Sequence, residues 1–542
     1  MNCRANSRLA DAAILLAPAV TIFILANPLA TFRSTRTIFV SPQGSDWNSG
    51  ATATTAVATV QHAADLARPG DQIRIGPGTY YERVHLRCGG TEHAPVSLVA
   101  EIPGSVIITG ELPSKVPADW IWRDEGNGLF STAVRSPVYW LNDGAATCYR
   151  LPWGGVTALK KLTEKPGAQS AYCQENNRLF VYLTDGNHPQ KEDLRTHRPA
   201  PAPREWGEFK SATVWVETDH IRLEGLQIEF GIGAAVNLWN AEHVEIRDCA
   251  FSGSTFGVKC GGGIKPSRHV TLMNCLYHNY PQYHWRKNWL TWDEVYAAYS
   301  SSALIASTDT PLTVENCLVT HAGDALRISP RVGQEPTSAI IDGNFLAHCT
   351  DDALEFDGDG AHVDVRNNIV YEAHQNLAFS PVEQGPIAVQ NNLFAHEPAG
   401  INGAQIKLIN NRPGDPIRNI SVRNNVFVGD WLCWYNDAPI NDVLIEHNRF
   451  FVHRLADPPW PSLGVTVGEG QVELQSVRQP PERMIGDWNR QANEPAWVRE
   501  LLKRRPGPAW FPTEEHPATK DAMHWRDRLQ NLLQTDVPGE HH

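Results

Sequence analysis

What the sequence lacks narrows its function first. It has no excess of basic residues: 47 Lys and Arg stand against 60 Asp and Glu, a net charge of −13. Proteins that grip nucleic acid usually display a basic stripe, so that partner class is excluded. Past about residue 30 no apolar run approaches the roughly 20 residues that span a bilayer. The repeating second half shows no helical period, which leaves strands as its building unit.

Residues 1–30, MNCRANSRLADAAILLAPAVTIFILANPLA, set Arg4 and Arg8 before an apolar run from about Ala12 to Ala30. This is the layout of a secretory signal peptide. The run does not end in a clean small-x-small cleavage site, so an uncleaved signal anchor is the alternative. The expected location is outside the cytoplasm, secreted, periplasmic or at the cell surface, and membrane-anchored if the segment is retained.

At 542 residues, the chain exceeds the roughly 250–300 residues at which one core stops growing. Repetition supplies the way out. An Asn–apolar mark recurs at Asn274, Asn316, Asn344, Asn368, Asn392 and Asn425, in steps of 42, 28, 24, 24 and 33 residues. A unit of that size with inserted loops signals a solenoid. Between the marks lie AAVNLW, FGVKCG, SALIAS, DALRIS, DALEFD and QNLAFS, each alternating apolar and polar residues. That is the period-2 sign of a strand with one buried face. Short alternating strands with Asn and Gly at the turns predict an all-β fold, a right-handed, single-stranded parallel β-helix.

Ten cysteines in an exported chain would ordinarily suggest disulfides. Cys249, Cys275 and Cys317 instead fall at one repeat position, continued by Phe345 and Ile369, and are read as buried free thiols in a stacked column.

The stretches TIFVSPQGSDWNSG and ATVQHAADLARPGDQIRIGPGTYYERVHL, within residues 37–110, resemble the entrance to β-helices of the pectate-lyase superfamily: strand, capping helix with a PGD turn, then a PGTYxE rung. Lyases, glycoside hydrolases and epimerases share that opening, so the resemblance implies the fold and leaves activity open. Residues 111–208 break the pattern and read as an inserted antiparallel β module. The main coil occupies 209–455, and 456–542 read as a C-terminal cap and tail.

The stretch HCTDDALEFDGDG, residues 348–360, gathers Asp351, Asp352, Glu355, Asp357 and Asp359. With Leu354 and Phe356 inward, Glu355 faces out. Registering the rungs predicts an outward column Asn237, Lys259, Ile305, Arg327, Glu355, Ala378 and Lys407. A neighbouring column reads Ala234, Phe256, Ser302, Asp324, Asp352, Gln375 and Ala404. Asp324 and Asp352 thus fall on adjacent rungs, close enough to raise one pKa toward that of a general acid. His374 follows one position out of strict register.

The order AGDALRI, TDDALEF, AHQNLAF, AQIKL resembles the NTD, GDD, GHG and RIK order of polygalacturonase-like glycoside hydrolases. Asp324, Asp351, Asp352 and Lys407 match; NT is missing before Asp324, His374 is shifted, and Gln405 replaces Arg. The insert YHNYPQYHWRKNWLTWDEVYAAY, residues 277–299, offers aromatic faces for sugars, with Trp285 and Trp289 as the contacts and Arg286 for anionic groups.

Three functions fit. A glycoside hydrolase needs two carboxyl groups: Asp324 and Asp352, with Asp351 or Glu355 as substitutes, Arg327 orienting them, His374 beside them, and Lys259 and Lys407 binding substrate. It requires no cofactor. A polysaccharide lyase would use Lys259 or Arg327 as base and Ca²⁺ held by Asp352, Glu355 and Asp357, although these lack the spacing of a dedicated calcium loop. A non-catalytic glycan-binding β-helix is the third. The expected partner in each case is a polysaccharide or oligosaccharide, and the expected state is a monomer.

Overall fold

The computed structural model describes residues 35–144, 146–151, 155–190, 194–200, 212–279, 289–299, 302–307, 309, 311–328, 338–358, 362–395, 403–409, 414–435, 439–454, 465–467 and 496–534. The N-terminal signal or anchor segment, Trp285 and Arg286 lie outside them. No helix among the described residues is long and apolar enough to cross a membrane.

The strands stack into three parallel ladders. Among the described residues the first has thirteen strands, from Thr37–Val40 to Val465–Val467, each pairing in parallel with the strand one coil later, as Val244–Arg247 does with Val270–Met273. The second includes Ala250–Ser252, Leu276–His278 and Leu318–Thr320. The third includes Ala234–Leu238, Phe256–Cys260, Ala303–Ser307 and Leu326–Ile328. Two fourteen-residue strands, Phe345–Gly358 and Ile369–Val382, run through both of the latter. This is the parallel β-helix that the repeat predicts. Alternation does the work: in Val363–Arg366 the two valines are buried and Asp364 and Arg366 are not.

Each coil turns on a residue with left-handed backbone, among them Asn274, Asn316, Asn367, Asn391 and Asn424, with φ between 52° and 57°, and Gly343 at 70°. Asn and Gly tolerate this region best. The next residue points inward, and there Asn344, Asn368, Asn392, Asn425 and Asn448 stack amide on amide at 2.9–3.0 Å. The Asn marks therefore belong to two columns, not one. Cys275 and Cys317 occupy the stacking column, and the Cys317 amide donates to Asn344 Oδ1 at 2.9 Å. The column is continued by Asn344 and Asn368, whereas Phe345 and Ile369 align with Leu276 and Leu318. The three thiols are free and fully buried.

At the entrance, the Glu82 carboxylate of the PGTYxE rung accepts from the amides of Val60 and Gln61 at 2.8 and 2.9 Å, capping the helix Val60–Leu66. Unpaired amides at a helix start explain the acid at that place. Between Glu111 and Pro199, a four-stranded and a five-stranded sheet with mainly antiparallel pairing form the inserted module, with a helix at Gly155–Thr163. The helices Ala496–Lys503 and Pro517–Gln534 pack along the flank of the coil. They cover outward residues of the second ladder, including Leu318, Phe345 and Ile369, and Trp525 stacks on Tyr371 at 3.9 Å.

Candidate functional site

Along the third ladder one outward column reads Trp215, Asn237, Lys259, Ala306, Arg327, Glu355, Ala378, Lys407 and Trp434. It departs from expectation at one rung: Ala306 takes the place given to Ile305, which pairs with Val258 and Leu326 in the core. The strand is displaced by one residue, so Phe256 likewise pairs with Ala303 and not Ser302. A one-residue slip exchanges the faces.

Asp324 and Asp352 do meet on adjacent rungs, and the Asp352 amide lies 3.4 Å from Asp324 Oδ1. Their exposures differ from the expected open edge. Asp352 is wholly buried and does not line the cleft; its Oδ2 accepts from Lys407 Nζ at 2.6 Å. The cause is local. The register between Phe345–Gly358 and Ile369–Val382 shifts between Cys349 and Asp352, where three steps on one strand face two on the other. Such a bulge re-aims side chains. It leaves Asp351 on the cleft wall and Asp352 behind it, and it explains the offset of His374.

The cleft has a volume of about 390 Å³. Asp324, Asp351, Glu355 and Asp357 line it together with Arg327, Lys407 and His374. Arg327 spans three carboxylates, with Nε 3.1 Å from Glu355, Nη2 3.4 Å from Asp357 and Nη1 3.9 Å from Asp324. Burial pushes all five carboxyl groups up. Asp324 and Asp351 are held well above the usual range by burial and then by neighbouring carboxylates. Glu355 is pushed up to about 7, by burial first and by Asp357 and Asp352 next, with Arg327 and Lys407 opposing. Asp352 and Asp357 are also raised by burial, against the pull of Lys407 and Arg327. The cleft thus gathers several carboxyl groups of raised proton affinity, a mark of sites that handle protons.

One oxygen each of Asp324, Asp351 and Asp352 lies within 4.8 Å of the others. Of the expected set Asp352, Glu355 and Asp357, this triad includes Asp352. Asp352 Oδ1 is buried without a hydrogen-bond partner, which fits a cation ligand, but its other oxygen already holds Lys407.

Two of the three cleft aromatics, Trp292 and Tyr296, come from the insert expected to offer aromatic faces, though not from the contacts singled out there; Trp434 lies outside it. Trp292, in the helix Trp292–Tyr299, stacks on His374 at 4.1 Å and donates from Nε1 to Thr350 O at 2.8 Å. Tyr296 and the 37 % exposed Trp434 also line the cleft. Trp434 lies in the Lys407 column, a signal present in the repeat but beyond the last registered rung. Trp289 instead packs on Tyr149 of the inserted module at 5.8 Å, so the module supports the cleft helix from behind. Lys259 is exposed, rides over Phe256 at 5.9 Å and stays off the cleft wall.

No family model matches the chain. A segment of 103 residues, 18% of this chain and 22% of the relative, is 33% identical to the uncharacterized protein YwoF of Bacillus subtilis (strain 168), so the match spans about a fifth of that relative. Among solved structures, XylC in complex with xylose is similar with TM-score 0.44 and 12% identity over 78% of this chain and 76% of that one. The GH136 lacto-N-biosidase from Eubacterium ramulus gives 0.45 and 13% over 81% and 68%. A mannuronic acid specific family 6 polysaccharide lyase from human gut microbiota gives 0.41 and 11% over 91% and 99%.

Proposed function

We propose that the protein is a glycoside hydrolase. Asp351, its proton affinity raised by burial and by Asp352, donates a proton to the leaving glycosidic oxygen. Glu355, ionised and oriented by Arg327, is the second carboxylate. Asp324 lies at the cleft floor, 1% exposed, with its own proton affinity raised by burial and then by Glu355, Asp351 and Asp352. Asp352 and Lys407 act from behind as a positioning pair. The supporting observation is the joint presence in one cleft of a carboxyl group well above its usual pKa and another near 7, beside the rings of Trp292 and Trp434.

A lyase would need a cation free to meet a uronate and a base of lowered pKa. Arg327 and Lys407 are each bound to carboxylates, and their carboxylate partners raise both against the opposing effect of burial. The Asp324, Asp351 and Asp352 triad favours one variant of that second reading, in which Ca²⁺ supplies the charge. Incubation with neutral and uronate glycans separates the readings: new reducing ends alone support hydrolysis, unsaturated ends absorbing in the ultraviolet and lost on chelation support the lyase, and no cleavage leaves a binding protein.

A further inference from the structure

A second group of side chains stands apart from the cleft. His220, His243 and His269 each immediately precede a strand of the first ladder, Ile221–Glu224, Val244–Arg247 and Val270–Met273, and the first residues of these strands pair in register. The three histidines therefore hold one position on three consecutive rungs, about 4.8 Å apart at the backbone. Their rings stack in parallel, with centroids 4.7 and 4.5 Å apart and planes inclined by 2° and 1°. None of them lines the cleft.

The backbone does not by itself call for imidazole at this position. All three have left-handed φ, between 54° and 58°, and on later rungs the same place is filled by Asn419 and Asp442, at 56° and 53°. Asn and Asp make that turn as readily. Burial does not call for it either. His243 and His269 are exposed, and no hydrogen bond engages a ring nitrogen of the three. The two charged residues that act on His269 besides its stacked neighbour, Glu242 and Arg268, are of opposite sign. What the column offers is therefore a row of uncommitted imidazole nitrogens, and imidazole is the commonest protein ligand for metals.

We propose that this column binds a divalent transition-metal ion, held by His243 together with either His220 or His269. Tetrahedral zinc binds imidazole nitrogens at about 2.0–2.1 Å, which sets two of them about 3.4 Å apart. Neighbouring rings of the column reach that spacing by tilting together at their tips, a movement open to side chains in solvent. The outer two rings stand two rungs apart, too far to share one ion. His243 thus belongs to both pairs, and each outer histidine to one. His362 supplies an internal comparison. It holds the same position with φ 56°, but its neighbours on the adjacent rungs are Ser338 and Pro386, so it has no second ring. This site is independent of the hydrolase reading.

The test is calorimetric titration of the full chain with Zn²⁺ at pH 7.5 in excess Ca²⁺. Calcium takes oxygen ligands and so occupies carboxylate sites such as the Asp324, Asp351 and Asp352 triad, leaving imidazole free. His243→Gln is expected to weaken zinc binding at least about tenfold, the least that loss of even an outer partner usually costs. His220→Gln and His269→Gln should weaken it less, because each leaves one pair, and His362→Gln should leave it unchanged. Zinc should also raise the Tm of the wild type and of His362→Gln, but not that of His243→Gln. Undiminished zinc affinity in His243→Gln overturns the proposal, as does an equal loss in His362→Gln or the absence of zinc uptake by the wild type in excess calcium.

Discussion

The Lys407 ammonium lies 2.6 Å from Asp352 Oδ2, with Lys407 8% exposed and Asp352 wholly buried. Breaking a buried pair from one side leaves an uncompensated charge and costs about 3–5 kcal/mol. Asp352→Asn should therefore lower stability by that order, measured by denaturant unfolding, and reduce activity through a displaced Lys407. Pairing it with Lys407→Met should recover much of the loss of stability but not the activity. An unchanged stability for Asp352→Asn would contradict the pairing.

Glu355→Gln and Asp351→Asn should each lower kcat by at least about a hundredfold, the scale of general acid–base and nucleophilic contributions. Far-ultraviolet circular dichroism should stay unchanged. Because Glu355 acts ionised, the rate should rise with pH toward about 7. Loss of the ascending limb in a Glu355→Asp variant with altered midpoint would mark that residue as its source. A pH profile identical to wild type in that variant would reject the assignment.

Stability should fall as pH rises. Burial raises Asp324, Asp351, Glu355 and also Glu111, the last to about 8. A carboxyl group whose pKa is higher in the folded state binds more protons folded than unfolded. Its contribution is complete below the unfolded pKa and is lost as pH rises through the folded one. Urea unfolding at pH 5 and pH 8 should show the lower stability at pH 8, and Asp324→Asn should reduce the difference. A protein more stable at pH 8 than at pH 5 would contradict the assigned directions.

The amide stack makes a prediction of its own. Asn392 donates to Val365 O, Gln390 O and Asn425 Oδ1, and accepts from Asn368. Asn392→Ala leaves several buried groups without partners, each lost partner costing about 1–3 kcal/mol, so a marked fall in Tm is expected. Cys317→Asn, which would extend the stack one rung beyond Asn344, should change stability by less than that. Equal losses in the two variants would remove the stack from the account of what holds the coil.

The fold was legible because its signal is repeated. Alternation and turn residues recur on every rung, so a single misplaced strand, such as that containing Ile305, did not obscure the β-helix. The thiol column was legible as burial, but its continuation was not, because Asn316 and Asn344 look alike in sequence while one makes the left-handed turn and the other stacks inside it. The site was legible as a set of residues and less so as a geometry. Asp324, Asp351, Glu355, Arg327, His374 and Lys407 do line one cleft. Which of two adjacent aspartates faces it depends on a bulge between Cys349 and Asp352, and no residue pattern announces that shift. Trp292 reaches the cleft on a helix supported by a distant module, a contact set by tertiary packing alone.

The most direct test of the hydrolase assignment is product analysis after incubating the wild-type protein and the Glu355→Gln and Asp351→Asn variants with a panel of neutral and uronate oligosaccharides. The account predicts new reducing ends without ultraviolet-absorbing unsaturated ends, chelator-insensitive, and lost in both variants. Unsaturated products, or hydrolysis that survives both substitutions, would contradict it.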